Sequence, residues 1–95
     1  MAAYVVANVR VADPDRYAEY VAQVPATIER YGGRFLVRAG HAERLEGAVE
    51  PARFVVLEFP SYEAAKAWYD SEEYRPLLEL RQSASTGDLI LAEGV

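Results

Sequence analysis

The run Phe54-Val55-Val56-Leu57-Glu58-Phe59 is almost wholly apolar, the pattern of a strand that is covered on both faces. Pro60-Ser61 ends it. Tyr62 to Asp70 then reads as a short helix, with Ser61 placed to cap its first free N–H groups. A strand that passes through two residues into a helix requires a layered domain of helices and sheet. The same run carries the chain's only Trp, Trp68, and sets the carboxylate of Glu58 among side chains that favour burial.

The flanking segments extend this reading. Tyr4 to Val11 alternates: Val5, Ala7, Val9 and Val11 fall on one face, and Tyr4, Val6, Asn8 and Arg10 on the other. Asp13-Pro14 starts a helix, since Asp caps well and Pro suits the first turn. Tyr17, Tyr20, Val21, Val24, Ile28 and Tyr31 form its apolar stripe. Pro25 removes one of its hydrogen bonds and predicts a kink near Val21–Ala22. Gly32-Gly33 closes the helix; it follows a helix instead of preceding one, which argues against a phosphate loop. Arg34 to Ala39 is a second strand, and Gly40 to Ala52 a loop too long for a tight hairpin. Arg53 to Phe59 is the third strand. Ser71 can cap a further turn, Pro76 to about Ser85 continues as a helix, and Asp88 to Ala92 is the last strand.

The order is β-α-β-β-α-β, the split arrangement of an α+β, ferredoxin-like fold with a four-stranded antiparallel sheet and helices on one face. The helix-covered face is expected to carry Val5, Ala7, Val9, Phe35, Val37, Val55, Leu57, Phe59, Leu89 and Leu91. The other is expected to carry Tyr4, Val6, Asn8, Arg10, Arg34, Leu36, Arg38, Phe54, Val56, Glu58 and Ile90. A sheet facing water would not display so many large apolar groups together, so a second copy is expected to cover it.

Composition narrows the classes of function. Ninety-five residues with 52% apolar content suit one small domain, residues 1–95. The net charge of −5 is lopsided: residues 1–47 balance six Arg against six acids, whereas residues 48–95 hold four basic groups and nine acids. An acidic surface argues against nucleic acid and against anionic membranes. No apolar run reaches membrane-spanning length, and no basic start precedes an apolar leader. The lack of Cys excludes disulfides and thiolate metal sites and fits a cytoplasmic protein.

Taken as a set, several segments resemble the proteins grouped as domain of unknown function 1330, within the dimeric α/β-barrel superfamily. They are Val24-Pro25-Ala26-Thr27, Tyr31 to Gly40, Leu45-Glu46-Gly47, Val56 to Ser61, Ala67 to Ser71, Glu73-Tyr74, and Arg81 followed by Thr86-Gly87-Asp88. The resemblance covers nearly the whole chain. It implies the ferredoxin-like fold and a homodimer whose two sheets form a barrel, and it supplies no reaction. Relatives by fold include cofactor-free monooxygenases, dehydratases, isomerases and haem-degrading enzymes, but fold kinship is weak ground for function. No cofactor is expected.

Glu58 is the first candidate for chemistry. A covered carboxylate beside Phe54 and Val56 would have a raised pKa suited to general acid–base work. The alternative is a cross-strand ion pair with Arg34 or Arg38, and register decides which. Arg38 and Asn8 could hold a carboxylate or an enolate-like oxygen, or serve the interface as hydrogen-bond partners. His41, the only His, is a candidate base near a barrel mouth; alone it makes a poor metal site. Trp68, Tyr17 and Tyr20 could pack as core or line a ligand cleft. Arg81 could pair with Glu79 or Asp88, or reach the sheet. The expectation is a small-molecule-binding homodimer. If it is an enzyme, Glu58 or His41 is the base and Arg38 and Asn8 are the oxyanion partners. The other reading is a non-catalytic module whose polar sheet residues brace the dimer.

Overall fold

The computed structural model describes residues 1–95. Its elements run β1 (Ala3–Val11), α1 (Pro14–Arg30), β2 (Arg34–Arg38), β3 (Arg53–Phe59), α2 (Tyr62–Asp70), α3 (Arg75–Ala84) and β4 (Ser85–Glu93). The four strands form one antiparallel sheet in the order β2-β3-β1-β4, which is the ferredoxin-like arrangement. The helices lie on one face. No helix is long and apolar enough to cross a membrane.

Local chemistry sets the boundaries. The Asp13 carboxylate accepts from the backbone N–H of Arg16 at 3.2 Å, and Pro14 takes the first helical position. α1 runs through Pro25 as one helix and buries Tyr17, Tyr20, Val24 and Ile28. It ends where Gly32 adopts φ +81°, a left-handed conformation that favours glycine. Gly33 is needed for a different reason. A Cβ there would lie 2.6 Å from Phe59 Cε1 and 2.8 Å from Ile28 Cγ2, so only glycine lets the chain pass.

Ser61 caps α2 by accepting from the N–H of Ala64 at 3.0 Å. Ser71 joins α2 to α3. Its hydroxyl donates to the Trp68 carbonyl at 2.7 Å and accepts from the Tyr74 N–H at 3.2 Å. The further helix expected after Ser71 is α3, and it meets α2 at this buried serine. Trp68, Tyr74, Phe59 and Ile28 are the largest fully buried side chains, and they anchor the core between helices and sheet.

The register assigns the faces. Val5, Ala7 and Val9 of β1 are buried under the helices, and across from them stand Leu57, Val55 and Arg53 of β3 and Leu91, Leu89 and Gly87 of β4. Tyr4, Val6, Phe54, Val56, Glu58 and Ile90 occupy the open face, as the alternation predicts. β2 departs from it. Arg34 pairs with Glu58 and Phe35 with Leu57, but Val37 pairs with Val56 and Arg38 with Val55. A β-bulge at Leu36 thus moves Val37 to the open face and Arg38 to the helix side, the reverse of the expectation from strict alternation. On the open face Leu36 is 46% and Ile90 63% exposed, so this surface of the protomer is apolar and uncovered.

Candidate functional site

The expected site residues separate into three places. Glu58 lies on the open face. The Arg34 guanidinium donates to it from Nε at 2.8 Å and approaches it through Nη2 at 2.7 Å, and the Tyr4 hydroxyl donates at 3.1 Å. Hydrogen bonds from Arg34 and then Tyr4 hold its carboxyl below the usual glutamate range, and the bond to Glu58 in turn raises the Tyr4 phenol. The register answers the question left open by the sequence: Arg34 is the partner and Arg38 is not.

His41 lies in the long loop that follows β2, and Asn8 of β1 is bonded to the far end of the same loop. The Asn8 amide donates to the Glu50 carbonyl at 3.2 Å, and its oxygen accepts from the N–H of Ala52 at 2.8 Å. Both ends of the amide therefore hold the returning loop against β1. His41 is exposed at the start of that loop.

Arg38, Trp68, Tyr17 and Tyr20 do converge. They line a cavity of about 40 Å3 between α1 and the helix-covered face of the sheet. Its walls are apolar, with Val5, Ala7 and Val9 from β1, Val55 and Leu57 from β3, and Val21, Val24 and Ile28 from α1. The only charged groups on its lining are Arg38, Arg53 and Arg81, from β2, β3 and α3. Arg38 lies over the Phe35 ring at 4.3 Å and Arg53 over the Tyr17 ring at 5.4 Å, so both cations rest on aromatic faces. Arg38 is exposed, Arg53 is half-buried and Arg81 is only 7% exposed. The first two sit where the cavity meets solvent, and Arg81 sits deepest.

The cavity is smaller than the ~150 Å3 that accommodates a benzene ring. As it stands it admits water or one end of a flat molecule. To admit a ring, the side chains at the cavity mouth, Arg38 and Arg53, would have to move. A more open groove of about 370 Å3 runs between α2 and β4, past Tyr62, Lys66, Tyr69 and Ile90, but Lys66 is its only charged group. Convergent polar groups in an apolar hollow mark a ligand site better than size does, which favours the smaller cavity.

Around Arg81 lies a buried polar cluster. Its Nε donates to the Tyr74 hydroxyl at 3.4 Å, and the Tyr74 and Tyr20 hydroxyls are 2.8 Å apart. Trp68 stacks on Tyr74 with ring centroids 4.3 Å apart, and its indole N–H donates to Thr27 at 3.0 Å. Burial pushes the Tyr20 phenol far above the usual tyrosine range, so it stays protonated and acts as a hydrogen-bonding hydroxyl, never as a base. Tyr17 is also raised, again chiefly by burial. Burial works against the Arg81 charge, but the surrounding tyrosine oxygens outweigh it, and the guanidinium remains cationic.

The sequence reading passed over Arg53 and Tyr74 as site residues; for Arg81 it left open a pair with Glu79 or Asp88 or a reach to the sheet, and the side chain turns inward. A signal existed for Arg81. Leu77, Arg81 and Ala84 follow helical spacing and are the buried residues of α3, so an arginine occupies its apolar stripe. No group of three His, Asp or Glu side chains is close enough to share a metal ion.

Sheet order and helix placement together define a ferredoxin-like α+β fold. The chain belongs to the family described as domain of unknown function (DUF1330), whose model matches residues 2–95. Among solved structures it is similar to the RPA0582 protein of unknown function from Rhodopseudomonas palustris, with 20% identity and a TM-score of 0.81 over 99% of this chain and 82% of that one. It is also similar to SnoaB, a cofactor-independent oxygenase from Streptomyces nogalater, with 16% identity and a TM-score of 0.67 over 99% and 93% of the two chains. A third similar structure is Rv0793 from Mycobacterium tuberculosis, with 15% identity and a TM-score of 0.58 over 100% and 96%. At these identities the likeness concerns the fold. No curated protein matches the chain.

Proposed function

We propose that the chain, a single domain over residues 1–95, works in the cytoplasm as a homodimer whose open sheet faces close on each other. Each protomer binds a small organic molecule in the cavity between α1 and the sheet. The observation that carries this reading is the convergence of Arg38, Arg53 and Arg81 on a hollow otherwise lined by apolar and tyrosine side chains. Trp68, Tyr17 and Tyr20 supply flat surfaces for a ring, and the arginines supply donors for its polar end.

The chemistry that suits such a site is proton transfer or oxygenation of an activated substrate without a cofactor. Its kinship of fold with SnoaB is in keeping with that class. Arginines that hold an enolate-like oxygen would lower the barrier to forming it. Glu58 and His41 are the bases the sequence offers. Glu58 lies across the sheet from this cavity, so it would be the base only for a substrate held inside the dimer barrel; for such a substrate Glu58→Gln would abolish turnover with dimerisation intact.

A second reading is favoured by one observation. The Arg34–Glu58–Tyr4 bonds engage both carboxylate oxygens within the protomer, as a brace for the barrel lining would. On that reading the protein is a binding or assembly module, and Glu58→Gln weakens folding or association first.

Thermal shift with a panel of small aromatic metabolites tests the cavity directly, because a ligand that binds only the folded state raises the melting temperature. Val21 lines the cavity and is half-buried, so Val21→Trp should fill it. Compounds that stabilise the parent protein are expected to lose their effect on Val21→Trp. Stabilisation that survives the substitution would put the ligand elsewhere.

A further inference from the structure

We propose that the molecule this cavity takes is an anion, a carboxylate or the oxyanion of an acidic phenol or enol, and that Arg81 and the Tyr20 hydroxyl grip its charged oxygens. The proposal rests on the reading of the cavity as the binding site and names the class of ligand that enters it.

Three observations lead there. First, Arg81 is a buried cation without a counter-ion. The chain's ion pairs are Arg34–Glu58, Arg44–Glu50 and Lys66–Asp70, so none of the three cavity arginines is in one. An unpaired charge in a largely buried position is unfavourable, and an incoming anion would offset that. Second, the guanidinium is only partly used. Its one hydrogen bond runs from Nε to Tyr74, yet no sealed side-chain nitrogen or oxygen in the protein lacks a partner. Its two Nη groups are therefore not sealed, they have donors to spare, and the hollow that Arg81 lines is this cavity.

Third, the tyrosine pair has a direction. Tyr74 is 0% exposed and lies outside the cavity lining, whereas Tyr20 lines it. If Tyr20 donated to Tyr74, the Tyr74 proton would be buried with nothing to accept it. The satisfied arrangement has Arg81 donating to Tyr74 and Tyr74 donating to Tyr20. That leaves the Tyr20 O–H free to donate into the cavity beside the Arg81 Nη groups. Arg38 and Arg53 add positive potential at the entrance, and no carboxylate of the chain lines the hollow. A protein of net charge −5 has thus gathered cations on the inside of one cleft.

Benzoate and its neutral near-isostere benzamide separate charge from shape. Each is titrated at pH 7.5 into 15N-labelled protein, and the single indole N–H resonance of Trp68 is followed. Benzoate is expected to bind at least about tenfold more tightly than benzamide, the scale of a charge-assisted pair. Arg81→Met is expected to bring benzoate down to the level of benzamide and to change benzamide less than about threefold, with Arg81→Lys recovering part of the loss. Tyr20→Phe keeps the ring and removes the donor; it should weaken benzoate about threefold or more and leave benzamide alone. The comparison on the parent protein and Tyr20→Phe stand even if Arg81→Met fails to fold. Benzamide binding as tightly as benzoate, or Arg81→Met retaining the preference, would overturn the anion assignment and leave the cavity reading intact. If neither compound moves the indole resonance, the cavity reading itself fails and this proposal with it.

Discussion

Glu58 is the residue at which sequence and structure pull apart most instructively. Its place in an apolar strand suggested a carboxylate with a raised pKa. The hydrogen bonds from Arg34 and Tyr4 lower it instead. A carboxyl with a depressed folded-state pKa stabilises the fold above its unfolded pKa, and that contribution is lost as pH falls through the folded value. Glu58→Gln is therefore expected to lower the melting temperature at neutral pH, with the difference from the parent shrinking as pH drops below about 4. Melting curves taken across that range would contradict the assignment if the difference stayed constant. Register made this pair invisible beforehand, because Arg34 and Arg38 are both plausible neighbours until the strands are aligned. Arg81 was legible in part: an arginine on an apolar helical stripe is either a mistake in the helix or a buried cation. Its partner Tyr74 was not, since the turn at Ser71 that swings Tyr74 inward depends on a serine hydroxyl bonded in two directions.

Elements were legible where one face is buried. The alternation of β1, the Asp13-Pro14 start of α1 and the Ser61 cap of α2 all appear where the pattern puts them. β2 shows the limit. Its bulge at Leu36 adds one residue to a strand with no glycine inside it, and period-two counting then fails for every later position. That single insertion carries Arg38 from the open face into the cavity. The junction between α1 and β2 is equally specific. Gly33→Ala would drive a methyl group into Phe59 and Ile28, both fully buried. It is expected to destabilise the protein by about 1–3 kcal/mol, as overpacking does. Denaturant unfolding measures this, and a change under ~0.5 kcal/mol would mean that the junction has room to relax.

At the scale of the whole molecule, the sheet has one face occupied by helices and one without a partner in the protomer. Val6, Phe54, Val56 and Ile90 make the second face apolar, and a second copy of the chain is the occupant proposed above. A charge at its centre should prevent that association. Val56→Glu is expected to sediment as a monomer at micromolar concentration where the parent sediments as a dimer. A parent protein that is monomeric under the same conditions would remove the barrel from the account. The dimer and the cavity occupy opposite sides of the sheet, so Val56→Glu and Val21→Trp should act independently. Trp68 and Glu58 likewise belong to two places, one on each side of the sheet.

The central claim is that the working site lies between α1 and the sheet, under the helices. A crystal structure of the protein soaked with benzoate tests it most directly. The account predicts density for the ring against Tyr17 and Trp68, with the carboxylate within hydrogen-bond distance of Arg81 and the Tyr20 hydroxyl. Density beside Glu58 on the open sheet face, or against His41 in the loop, with the cavity unchanged, would contradict it.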